Sequence, residues 1–321
     1  MKNLVYIGKI IEVKPIPDAD RIESATAICG PGGKWMGVVQ KGQFKLGDPC
    51  QVYLQDSLLP QTPEFAFMEK HHWRVRMARF KGAPSEALIL PQTIPGEIGD
   101  DVTLAAGVLK YEKPLPANVG GYILGNFPNF ISRTDEPNFQ AVMEMVAALR
   151  GKLFYSTLKA DGSSGTVYRY KDHFGVCSRN LELKQTNGNA FWQCALAHHL
   201  ETELQEGYAL QFECVGPGIQ KNPLGLQKVE PRFFNLYDIQ AHAYLGINDL
   251  IALCAELDLP MVDLIEMDRP FEFSDDQLRL YAERIYVNGK QAEGIVVRPM
   301  VEETFNGDRL SFKVLNLRYK D

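Results

Sequence analysis

The chain of 321 residues is poor in the features that would place it in several common classes. It has six cysteines, at 29, 50, 177, 194, 214 and 254, and no two of them form a C-x-x-C pair. That spacing indicates neither a zinc knuckle nor a disulfide framework, so the cysteines read as reduced. The start, "MKNLVYIGKI", lacks the apolar core of a signal peptide, and no apolar run approaches membrane-spanning length. A soluble cytoplasmic protein is the expectation. The six histidines include two adjacent pairs, His71-His72 and His198-His199. Neighbouring side chains diverge on strand and helix alike, which argues against a histidine metal site. There is no internal repeat and no low-complexity segment.

The net charge is −6, which excludes a protein that coats nucleic acid by bulk attraction. Residues 1–110 hold 13 Lys/Arg against 12 Asp/Glu, so the remaining 21 against 28 carry all the acidic excess. Carboxylates in the second part are available either to solvent or to metal ions. Hydrophobic content of 45% and charged content of 23% are those of an ordinary globular protein, long enough for two domains.

The first hundred residues contain short strand-like runs, among them "VYIGKIIEVKPI", "KWMGVVQ" and "WRVRMARF", separated by Gly and Pro. Five or six such strands without a helical period suggest a small barrel over residues 1–110. A Pro- and Gly-rich stretch at 111–121 reads as a linker. From 122 to 321 the pattern mixes. Helices are expected over "NFQAVMEMVAALRG", with Thr134 or Asp135 capping it, and over "NAFWQCALAHHLETELQ", "INDLIALCAELDL" and "DDQLRLYAERIYV". Strands are expected at 153–158, 166–170, 173–178, 209–215, 233–239, 294–298 and 310–315. This is an α+β domain with antiparallel sheets.

Strand alternation sets Gln211 and Glu213 on one face of "ALQFECVG", and Ser311 and Lys313 on one face of "RLSFKVLN". Glu293 heads the apolar strand "GIVVRP", where a lone buried carboxylate is costly. Lys159 ends the strand-like "KLFYSTL" just before the turn-forming Asp161-Gly162. Each of these is singly an ordinary feature of a strand.

In order, Lys159-x-Asp161-Gly162, "SRN" with Arg179, "FECVG" with Glu213, "FFNLYDI", "EGIVVR" with Glu293 and "SFKVLN" with Lys313 resemble the motifs of covalent nucleotidyltransferases. That superfamily holds RNA ligases, DNA ligases and capping enzymes. The upstream "FPNFISRTDEPNFQ", residues 127–140, is similar to the element that precedes the motifs in ATP-dependent RNA ligases. "YIGKIIEVKPIPDADRIESATAICG" and "RFKGAPSEALILP" resemble a tRNA-binding OB module. The chain is thus identified as a member of the RNA ligases with an N-terminal OB domain. The fold this implies is an OB-type β-barrel followed by an α+β nucleotidyltransferase (ATP-grasp-like ligase) domain.

The resemblance implies that Lys159 attacks the α-phosphorus of ATP and carries AMP as a phosphoramidate, with Asp161 and Lys313 assisting. Mg2+ or Mn2+ is implied at Asp161, Glu213 and Glu293, since hard cations prefer oxygen. Leu158, Arg179, Glu213, Phe234 and Lys313 are implied around the nucleotide, with Phe233 and Tyr237 as rivals for the base-stacking aromatic. The implied partner is RNA with 3′-OH and 5′-phosphate ends, as in a nicked duplex undergoing repair, and the implied state is a monomer. Lys70, Trp73, Arg74, Arg76, Arg79 and Lys81 mix cations with aromatics as RNA-contacting OB surfaces do, or else form a solvated strand face.

Two departures from the family pattern stand out. Ser311 stands where the last motif commonly has its first lysine, and Arg309 replaces it only if the strand bulges. Arg133 and Asn138 stand where relatives carry Lys and Arg, which implies a looser grip on the terminal phosphate. Alternatives are a DNA ligase or capping enzyme, or a non-catalytic RNA-binding protein. With six residues after Leu315, the C-terminal OB domain usual in the first two is not expected.

Overall fold

The computed structural model describes residues 3–111 and 123–319. All but the first residue of the expected linker, 111–121, lies outside them. The chain forms two compact units: Met1–Pro114 with Asn138–Val146 and Lys320–Asp321, and Leu115–Pro137 with Ala147–Tyr319.

The first unit is built on a five-stranded antiparallel sheet. Its strands run in the order Gly33–Gln40, Ile22–Cys29, Val5–Pro15, Pro49–Tyr53 and Leu88–Pro91. The central strand opens with four successive buried residues, Val5 to Gly8, because apolar clusters cover both faces of the sheet. A register shift between Ile10 and Glu12 is a bulge, the device that bends a strand. Segment 138–146 packs here as well. Phe139 and Gln140 are buried, and Gln140 Nε2 donates to Glu86 Oε1 at 3.0 Å. A Cβ on Gly33 would lie 1.9 Å from the Gln140 carbonyl oxygen, so only glycine lets the two backbones meet.

The expected helix across 138–151 is shortened. Phe139–Ala141 is a single 3-10 turn, and the α-helix spans only Met143–Leu149. Thr134 does not cap it, and its hydroxyl instead meets that of Ser164 at 2.9 Å. Asn138 is extended and Val142 leaves helical geometry, which separates the two pieces.

Among the described residues the second unit holds two main antiparallel sheets and a two-stranded ribbon, Thr304–Phe305 with Asp308–Arg309. The larger runs Ile123–Asn126, Leu181–Leu183, His173–Ser178, Ser163–Tyr170, Tyr208–Val215, Glu230–Asp238 and Ala243–Tyr244. The smaller runs Leu264–Pro270, Leu153–Lys159, Gly294–Pro299 and Phe312–Leu315. Helices Ala190–Leu196 and Ile247–Glu256 supply apolar residues to the core of the larger sheet. The helix expected over 275–287 stops at Tyr281, and the residues beyond it turn toward Lys159. No helix among the described residues is long and apolar enough to cross a membrane.

Candidate functional site

Lys159 is the last residue of its strand and pairs with Gly294, so the chain leaves the sheet as the lysine is reached. The turn that follows is tight. A Cβ on Gly162 would lie 2.3 Å from the Cys214 carbonyl oxygen, which explains the glycine after Asp161. Gly294 has φ +153° and a Cβ there would lie 2.2 Å from the Val314 oxygen. Both glycines therefore mark places where strands close on the lysine.

Lys159 Nζ donates to Glu293 Oε2 at 2.5 Å, and both side chains are about a quarter exposed, at 26% and 23%. Burial works against the lysine's charge, but Glu293, Glu213 and Asp161 outweigh it and hold the ammonium above the ordinary lysine range. Glu213 shows the other side of this imbalance. Burial, reinforced by Glu293 and Asp161 against the pull of Lys159, pushes its carboxyl up to about 8. Three carboxyl groups share one ammonium, and the site is short of positive charge, which is why Glu213 holds its proton.

Asp161 accepts from the hydroxyl of Tyr319, and its own N–H donates to Tyr286 Oη at 3.2 Å. The motifs singled out neither tyrosine. A weak signal exists for Tyr286, as a lone aromatic beside Asn288-Gly289 just ahead of Glu293.

Along the same face of the smaller sheet, alternation sets Thr157 beside Val296 and Lys313, and Tyr155 beside Arg298. Lys313 is two strands over from Lys159 and two residues along, about 12 Å at the usual strand spacings. Its N–H donates to the Pro137 carbonyl at 2.8 Å, tying the upstream element to this sheet edge. Arg298, 1% exposed, finds an acceptor for each of its three nitrogens. It reaches Ser311 Oγ at 3.0 Å, the Phe234 carbonyl at 3.3 Å, Tyr155 Oη at 3.4 Å and Glu136 Oε1 at 2.6 Å. Ser311, in the position of a lysine in the family, is thus a buried partner of an arginine. Arg309 does not replace that lysine. It is held by Glu302, donates to Asn235 Oδ1 at 2.8 Å and lies over the Tyr244 ring at 3.8 Å.

The choice among the three aromatics narrows. Phe233 and Tyr237 are core residues, whereas Phe234 is half-buried. The ladder pairs Gln211 with Asn235 and Phe212 with Phe233, so Phe234 is the extra residue of a bulge. Leu158 donates its N–H to Asp263 at 2.9 Å and pairs with Ile295. Arg179 is half-exposed and pairs with Asp135 at 3.3 Å. Asn138 Oδ1, in the upstream element, is buried with no hydrogen-bond partner.

In the first unit, "WRVRMARF" is not a continuous strand. Pro63–His71 is a 3-10 helix, His72 and Trp73 are left-handed, and only Ala78–Phe80 is extended. The break follows from burying Phe65 and Val75 on either side of that kink. Lys70 and Arg76 are exposed, and Trp73 is half-buried. Arg74 pairs with Asp56 at 2.7 Å and stacks on Tyr111 at 4.0 Å. Arg79 donates to the Gly82 carbonyl at 2.5 Å, and Lys81 to that of Asp18 at 2.8 Å.

A lysine at a strand end, ringed by carboxylates and facing a second sheet, has the layout of a group-transfer site with a covalent nucleophile. Comparison with known proteins names the class. A family model described as RNA ligase matches residues 152–315, and an OB-fold domain model matches residues 4–92. The apo form of a substituted RNA ligase of Naegleria gruberi matches with TM-score 0.83 at 32% identity, covering 99% of this chain and 97% of that one. A variant of that ligase solved with ATP and Mn matches at 0.82 and 32% identity, covering 98% and 97%. The form solved with PPi matches at 0.81 and 32% identity, with the same coverage. No curated protein sequence matches. The chain belongs to the RNA ligase family, joining an OB-fold domain to an α+β catalytic domain.

Proposed function

We propose that this ligase seals 3′-OH/5′-phosphate breaks in RNA, most simply in a nicked duplex, with ATP as the energy source. The observation that carries the reading is the Lys159–Glu293 contact at 2.5 Å, inside a ring with two further carboxylates. First, Lys159 Nζ, as a free amine, attacks the α-phosphorus of ATP. A P–N bond forms, the bond to pyrophosphate breaks, and the amine's proton passes to solvent. Next, a 5′-phosphate oxygen of RNA attacks the same phosphorus, releasing the lysine and leaving an adenylylated end. Finally, the RNA 3′-OH attacks the 5′-phosphorus and AMP departs.

Lys159 begins as a paired ammonium, which is not a nucleophile. Its partners must therefore be offered other positive charge. The donor set fits a divalent cation: carboxylate oxygens of Glu293, Glu213 and Asp161 surround one lysine, with charge to spare. Among the described residues no three acidic, histidine or cysteine side chains converge tightly enough to hold an ion alone. That suits an ion completed by phosphate oxygens and water. When bound, such a cation supplies positive charge to the phosphates and competes with the ammonium for carboxylate oxygens. Lys313 serves the α-phosphate, Phe234 the adenine face, Leu158 the adenine amino group, and Arg179 with Glu213 the ribose and phosphates. The OB domain presents RNA through Lys70, Trp73, Arg74, Arg76, Arg79 and Lys81, and the enzyme acts as a monomer.

Incubation with α-labelled ATP and Mg2+ or Mn2+ tests the reading. The expected product keeps AMP through a denaturing gel, loses it in acid, and passes it to nicked RNA. A chain that binds RNA but never takes the label is a binding protein instead.

A further inference from the structure

Sheet pairing carries the chain only as far as Lys159, where the ladder to Gly294 ends. Just past that point one hydroxyl ties three pieces of backbone together. Tyr286 Oη donates to the Lys159 carbonyl at 3.0 Å and accepts from the N–H of Asp161 at 3.2 Å and of Glu293 at 3.4 Å. One donor and two lone pairs are the full capacity of a phenol, and all are spent on the backbone of the site. Tyr286 is 5% exposed, and burial pushes its hydroxyl up to about 12, so it stays protonated and able to donate.

The tyrosine is itself anchored. Its N–H donates to Lys290 at 2.8 Å and its carbonyl accepts from Gly289 at 2.9 Å, which closes a short turn. The fully buried Asn316 side chain ties the turn's two flanks, donating to Arg284 at 3.1 Å, Gln291 at 3.0 Å and Ala292 at 2.9 Å. Glu293 has a further hold, since its carbonyl accepts from the Asn316 N–H at 2.9 Å and Gly294 begins a strand. On the other side, Lys159 is the last rung of the ladder to Gly294, and Tyr319 fixes the Asp161 carboxylate.

We infer that Tyr286 is a positioning residue for the nucleophile: its hydroxyl sets the backbone from Lys159 to Asp161 so that Nζ is aimed for attack. The inference rests on the ligase reading and deepens it. The first attack depends on where Nζ lies. The last step does not use it, because there the RNA 3′-OH attacks. Loss of the hydroxyl therefore separates the two steps, which general loosening of the site does not.

The test is Tyr286→Phe, which keeps the ring and its packing. Residue-resolved amide hydrogen exchange reports the clamp without reference to activity: exchange at Asp161 accelerates, while amides inside the Gly294–Pro299 strand keep their protection. In single turnover the maximal rate of lysyl-AMP formation falls about 10- to 100-fold, the scale of a misaimed reactant, with the half-saturating ATP concentration nearly unmoved. Joining of a synthetic 5′-adenylylated RNA falls by less than about threefold. Unchanged exchange and labelling overturn the inference, and so does an equal fall in labelling and in joining of the adenylylated RNA. A wild-type chain that never takes AMP onto lysine sinks the ligase chemistry instead, and the exchange result still decides whether the clamp exists.

Discussion

Lys159 and Arg298 share one face of the same sheet, and each is paired with a glutamate, at 2.5 and 2.6 Å. They are built for opposite ends. Arg298 is sealed from water, meets one carboxylate, and donates also to a serine, a tyrosine and a carbonyl. Lys159 is a quarter exposed and faces three carboxyl groups, one of them pushed up to about 8 because the others already outnumber the ammonium. A satisfied pair has nothing to gain by rearranging, so it holds the fold. An unbalanced pair gains by exchanging partners, so it can do chemistry. The geometry of a single contact does not separate the two. The charge count around it does.

Removing the proposed nucleophile has the largest expected effect. Lys159→Ala abolishes AMP attachment and leaves the chain folded, since the side chain ends its strand outside the apolar core. Labelling with α-labelled ATP, beside a melting curve, checks both halves. A mutant that still takes the label at the wild-type rate overturns the assignment of Lys159.

Glu293→Gln comes next. It keeps shape and hydrogen bonding while removing one charge, and adenylylation is expected to fall about 100-fold or more. The loss should ease as divalent metal is raised if the charge serves a cation. Near-normal activity at low metal returns Glu293 to the role of a plain strand-end residue.

The buried pair should show the reverse pattern, in stability rather than chemistry. Arg298→Ala leaves Glu136 half-buried without its chief partner and costs about 3–5 kcal/mol in denaturant unfolding. The pH dependence follows from Glu136. Burial raises its carboxyl, but Arg298 and Arg309 outweigh burial and bring it down to about 2 from an ordinary 4.5. A depressed carboxylate stabilises the fold above its unfolded value, and that stability is lost as pH falls through the folded one. Between pH 4.5 and 2 the wild-type chain should lose about 3 kcal/mol that Glu136→Gln does not lose. Parallel acid curves for the two proteins would sink the idea.

The contrast between the pairs also explains what was legible in the sequence. The carboxylates around Lys159 were readable because each sits in a motif whose order survives in the chain, and Gly162 and Gly294 are demanded by close approach. Arg298 gave a partial signal, being a charge inside the apolar "GIVVRP" that has to find a partner. Its partner Glu136 lies 162 residues away in sequence, and no pattern announces such a pairing. Tyr286 was hidden for another reason. In "DDQLRLYAERIYV" it fits a helical stripe, and only the end of that helix at Tyr281 frees it to reach Lys159. Segment 138–146 reads as part of the catalytic domain yet shares the core of the OB unit, because Gly33 admits its backbone.

The smallest effect is expected in the basic stretch of the first unit, where the same count of partners applies. Deleting residues 1–110 is a poor test, since Gln140 would lose Glu86 and the Lys34 carbonyl, both of which it holds there. Substituting Arg74, Arg76 and Arg79 together with alanine is milder. Arg74 is already bound to Asp56 and Tyr111, and Arg79 to Gly82, which leaves Arg76 the most available of the three. If a spent cation is a poor phosphate ligand, the salt dependence of nicked-RNA binding should flatten by about one unit of slope rather than three. Sealing should fall modestly, with lysyl-AMP formation unchanged. A drop of about three units would mean that all three side chains leave their partners for RNA. In that case Arg74 resembles Lys159 more than Arg298: a paired cation whose pairing is provisional. No change at all in slope or sealing would make the stretch a solvated face, with RNA docking elsewhere.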